Sequence, residues 1–115
     1  MYSEELPVVD GGVLLTEDDL PTLLDVLYDI AHKWERIATF LKLSQGAIAI
    51  IKSKEGAEPE DKLLEVMKRW LSRTSPAPTV ETLINALRRP FVGEEKIALE
   101  IEGKFYPQSF HSKSL

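Results

Sequence analysis

Apolar residues recur along this chain at the helical spacing, in six separate runs. Leu20, Leu23, Leu24, Leu27 and Ala31 make the first stripe, with Asp18, Asp25 and Asp29 on the opposite face. Trp34, Ile37, Ala38 and Leu41 follow at i, i+3, i+4 and i+7. A third, short run is nearly apolar all round. Its Ile48 and Ile51 point inward together, which leaves Ile50 facing nearly away. Ile50 either packs against the next helix or stands as an exposed apolar contact for a partner. The fourth and longest run carries Leu63, Val66, Met67, Trp70 and Leu71. Val80, Leu83, Ile84 and Leu87 form the fifth, and Ile97, Ala98 and Ile101 the sixth.

Start and stop signals bracket these runs. Thr16 precedes Glu17, Asp18 and Asp19, a capping-type start with acids at the positive end of a helix dipole. Pro21 is tolerable only in a first turn, and Pro59 sits where the fourth helix begins. Ser44 and Thr79 are suited to N-caps. Ser75-Pro76-Ala77-Pro78 and Arg88-Arg89-Pro90 are stops, because a residue before proline resists the helical region. No strand pattern competes strongly. Short loops force successive helices to pack closely and mostly antiparallel. The expectation is an all-α bundle of six helices over residues 16–102. An extended arm over residues 1–15 precedes it and a tail over residues 103–115 follows. The tail aromatics Phe105, Tyr106 and Phe110 are expected to fold back on the bundle.

Composition narrows the function. A length of 115 residues suits one domain, and 43% hydrophobic with 29% charged residues is ordinary for a globular chain. There is no cysteine, hence no disulfide or thiolate metal site, which suits a reducing compartment. Neither a signal peptide nor a spanning apolar segment is evident. The expected location is cytoplasmic, with excision from a longer protein left open. Net charge is −5, which disfavours nucleic acid as a partner. The charge is unevenly spread: residues 1–32 hold 8 acids and no Lys or Arg, and the other 11 acids mix with all 14 bases. An N-terminal part folded on one side would make the molecule electrostatically polar.

Catalytic chemistry finds no foothold. His32 and His111 lie far apart, one near a helix end and one in the tail, without convergent ligands for a metal. The pairs Asp18-Asp19, Glu60-Asp61 and Glu94-Glu95 read as first-turn acids favoured by helix dipoles. No nucleophile motif or Gly-rich phosphate loop occurs. Hence no catalytic, cofactor-binding or metal residue is expected, and no cofactor. Trp34 and Trp70 sit on apolar stripes and read as a core pair. Outward charges are segregated: Asp18, Asp25 and Asp29 are acidic, and Lys42, Lys52 and Lys54 are basic around the third helix. Lys68, Arg69 and Arg73 lie on the fourth, with Glu94 and Glu95 before the sixth as a possible complement. The alternative is a nucleic-acid module of the helix-turn-helix kind. It would need a basic groove-reading third helix, and this one is rich in isoleucine.

The motifs W-E-R-I-A-T-F-L-K-L-S from Trp34, I-A-I-I from Ile48 and L-L-E-V-M-K-R-W-L-S-R from Leu63 occur in that order. With the L-x-x-L-L-x-x-L run from Leu20 and T-V-E-T-L-I-N-A-L-R from Thr79, they resemble a death domain over residues 20–102. The related caspase-recruitment and death-effector domains usually lack this Trp-x-x-Ile-Ala with a later Trp-Leu. The resemblance implies an antiparallel six-helix Greek-key bundle. It implies binding to other death-domain proteins and to itself, as an adaptor in apoptotic, inflammatory or NF-κB-type signalling. It also implies three asymmetric contacts. In the first, Asp25 and Asp29 would face Arg36, Lys42 or Lys52 of another copy. In the second, Arg69 and Arg73 would face Glu94 and Glu95. The third would use Ile50 and Lys54.

Overall fold

In the computed structural model, which describes residues 8–9 and 12–106, each apolar run becomes a helix. The helices are α1 (Leu20–Leu27), α2 (Trp34–Phe40), α3 (Gln45–Lys52), α4 (Pro59–Leu71), α5 (Val80–Arg88) and α6 (Glu95–Phe105). Short 3-10 segments at Glu17–Asp19 and Tyr28–Lys33 flank α1. The expected caps form. Thr16 Oγ1 accepts from Asp18 N at 3.2 Å while Thr16 N donates to Asp19 at 2.8 Å. Ser44 Oγ accepts from Ala47 N at 3.1 Å, and Thr79 Oγ1 from Thr82 N at 3.2 Å. Each satisfies a backbone donor that a helix start leaves unpaired. Proline occupies the first turns of α1 and α4.

The expected inward residues of α2, α4, α5 and α6 are all buried, Trp34 and Trp70 among them at 8% and 1% exposure. They join one continuous core. Lys62 Nζ lies 5.6 Å from the centre of a Trp34 ring and covers the less protected indole. α4 touches α1, α2 and α3, while α6 packs on α5 and α1. The chain is thus the all-α, six-helix antiparallel Greek-key bundle that the sequence led us to expect.

Four details differ from the expectation. The first helix does not run unbroken to Ala31. It tightens at Tyr28–Lys33, where Ile30 leaves the helical region (φ −115°, ψ 21°). That bend lets Ile30, Ala31 and Trp34 all reach the core. Second, within that first stripe Val26 is buried while Leu20 and Leu24 are only partly so. Third, the arm contributes to the fold. Val8–Val9 (β1) pairs antiparallel with Gly12–Val13 (β2). Leu14 bridges to Thr79, Val13 N donates to Glu81 at 3.0 Å, and Leu15 is 2% exposed in the core. Fourth, α6 continues through Gly103 to Phe105, past the expected start of the tail. Phe105 and Tyr106 pack against the core, whereas Phe110 and His111 lie outside the described residues.

Candidate functional site

The candidate contact residues divide by what they already bind. Asp25 and Asp29 are exposed and make no hydrogen bond or ion pair among the described residues. They sit beside Tyr28, itself 60% exposed. The Lys42 and Lys54 ammonium groups are equally unengaged among the described residues. Lys52 holds only a long, exposed pair with Glu35 at 3.4 Å. Arg36 is exposed and spends one N–H on the Phe91 carbonyl at 3.2 Å. Ile50 stands out from α3 at 52% exposure.

The charges assigned to the second contact are held within the molecule. Arg73 donates to the carbonyls of Leu41 at 3.0 Å and Lys42 at 2.7 Å. Those carbonyls end α2. There Lys42 N bonds Thr39 O and Leu43 N bonds Ala38 O, a Schellman turn with Lys42 in its left-handed position (φ 68°). A non-glycine residue is strained there, and the Arg73 fork braces it. Arg69 pairs with Glu65 at 2.9 Å, one turn away on α4. Glu94 accepts from Lys33 at 2.7 Å, and the same ammonium donates to Val92 O at 2.6 Å. Both side chains of that pair are about four-fifths covered, at 21% and 22% exposure. Glu95 pairs with Arg88 at 2.9 Å. Arg69 and Arg73 therefore do not meet Glu94 and Glu95 within one molecule.

Two features escaped the sequence reading. Phe91, in the turn between α5 and α6, is 70% exposed. Its ring stacks on Phe40 of α2, with centroids 6.1 Å apart and planes 15° from parallel. The Arg89 guanidinium covers Phe40 at 4.9 Å. The result is an outward aromatic in a cluster that also holds Arg36, on the Phe91 carbonyl, and Arg89, on the Phe40 ring. The second feature is a groove of about 210 Å3 between α1 and α4, lined by Leu24, Tyr28, Leu63 and Leu64, with exposed Asp25 and Glu60. The only available signal for Phe91 was an aromatic directly after a helix-stopping proline, which reads equally well as core.

Among the described residues no group of three or more His, Asp or Glu side chains is placed to hold a metal. No helix among them is long and apolar enough to cross a membrane. What the site offers is charged and apolar surface, suited to contact with another macromolecule. Neither curated proteins nor solved structures yield a match to this chain. The family model for the death domain matches residues 17–104.

Proposed function

Because this chain belongs to the death-domain family, whose members are protein–protein interaction modules and not enzymes, we propose that it assembles with other death domains, its own copies included. The proposed setting is the cytoplasm, and the role is that of an adaptor in apoptotic, inflammatory or NF-κB-type signalling. The single observation that carries the reading is the pair Asp25 and Asp29, exposed with no partner among the described residues, in a molecule that also carries unengaged Lys42 and Lys54. Opposite charges left unpaired within one molecule are available to pair between molecules.

Asp25 and Asp29 serve one side of the first contact, and Arg36, Lys42 and Lys52 the other. Ile50 and Lys54 serve the third. Arg69, Arg73, Glu94 and Glu95 already have internal partners. Their use in a second contact requires them to share or release those bonds. The helix-turn-helix alternative gains nothing from α3, whose exposed residues are Gln45, Gly46, Ala49, Ile50 and one base, Lys52.

Patches on different faces dock head to tail, so each bound copy offers a fresh patch. Charge-led docking weakens with salt, because screening shortens to about 8 Å near physiological ionic strength. Light scattering across a salt series tests this. Complexes that shrink as salt rises support the reading; complexes unchanged or enlarged at high salt overturn it.

A further inference from the structure

We propose that Phe91 is an anchor that enters the α1–α4 groove of a second copy of this chain. The inference rests on the homotypic reading above and gives it a defined knob and hole.

The knob is an apolar ring held outward at 70% exposure. Isolated apolar residues on a surface are ordinary, but this one is fixed in place. Phe40 stacks behind it, Arg89 covers Phe40, and Arg36 holds the Phe91 carbonyl at 3.2 Å. A ring oriented beforehand loses little freedom on binding. The hole has the matching size. A cavity of roughly 150 Å3 takes a benzene, and the α1–α4 groove measures about 210 Å3. Its walls are Leu24, Tyr28, Leu63 and Leu64.

The charges around the two features are opposite in sign. Arg36 bonds the Phe91 carbonyl and Arg89 covers the Phe40 ring that Phe91 stacks on, whereas the groove carries Asp25 and Glu60 with no basic residue in its lining. This complementarity selects a second copy as the occupant. The two arginines would meet the groove acids as the ring seats, which fixes orientation as well as attraction. The ring cluster and the groove share no residue, so one copy presents both, and the contact is heterologous.

The test is sedimentation velocity on the full chain over a concentration series, with circular dichroism to confirm folding. Phe91→Asp alters an exposed side chain, and Leu64→Arg blocks a half-buried wall of the groove. Each variant alone should lose about tenfold or more of the self-association constant, as expected for a central aromatic anchor. An equimolar mixture should form a dimer that neither variant forms alone, because Leu64→Arg keeps its ring and Phe91→Asp keeps its groove. Should folded Phe91→Asp associate as tightly as the wild type, or the mixture stay monomeric, the anchor is wrong while homotypic assembly stands. A wild-type chain that never associates at any concentration overturns both.

Discussion

Two sets of charges that look alike in the sequence behave oppositely in the fold. The acids of the α1 region, Asp25 and Asp29, point into solvent with no partner among the described residues. Arg69, Arg73, Glu94 and Glu95, by contrast, are tied into the scaffold: Arg69 pairs with Glu65, Arg73 braces the end of α2, Lys33 ties Val92 and Glu94, and Arg88 holds Glu95. A segregated charge pattern therefore does not by itself mark a docking surface. What separates the sets is whether the fold has already supplied a counter-charge or a carbonyl. The first set is free to act between molecules; the second first holds the bundle together.

Substitutions can break or sharpen this contrast. The largest effect on stability is expected from Arg73→Ala. It removes two charge-assisted bonds, one to the partly covered Leu41 carbonyl and one, exposed, to the Lys42 carbonyl, a loss of about 2 kcal/mol and on the order of 10 °C in Tm. A thermal melt unchanged by this substitution would erase the distinction between the regions. Lys33→Met leaves the Val92 carbonyl and Glu94 without their shared donor. The expected cost is about 1–2 kcal/mol, read from the urea midpoint at constant slope. Lys42→Gly should act in the other direction. Glycine accepts the left-handed conformation without strain, so stability rises by up to about 1 kcal/mol. If Lys42 also serves the first contact, its removal should weaken self-association at the same time. Arg69→Glu faces Glu65 across one turn of α4, so only about 0.5 kcal/mol is at stake. At the bottom of the scale, the double change Asp25→Asn and Asp29→Asn should leave the melt within about 0.5 kcal/mol. Its effect should appear in association alone, as weaker binding and a flatter salt dependence. A destabilised but normally associating double variant would reverse the comparison.

Much of the scaffold is legible in the sequence alone. Cap residues such as Ser44 and Thr79 act on donors three residues away. The inward stripes of α2, α4, α5 and α6 likewise follow from a period within each helix. Local signals of this kind need no knowledge of the neighbouring helix. The misses have a common cause. Leu15, Leu43 and Val92 lie outside the periodic runs, yet all three are buried in the common core. Arg73 and Lys33 find partners 31 to 61 residues away. No spacing within a single helix announces such a pairing. Phe91 follows a proline in a turn, where nothing local tells whether an aromatic turns inward or out.

Periodicity, caps and composition thus determined on their own that the chain makes six amphipathic helices around two indoles, and where most of them begin. Those features depend on contacts within a turn or two of helix. Only the tertiary arrangement decided which charges are spent inside the molecule, that Ile50 and Phe91 stand in solvent, and that α1 and α4 leave a groove between them. The reason is geometric: a charge is free or bound, and a ring exposed or covered, according to what a distant segment places beside it once the helices have packed.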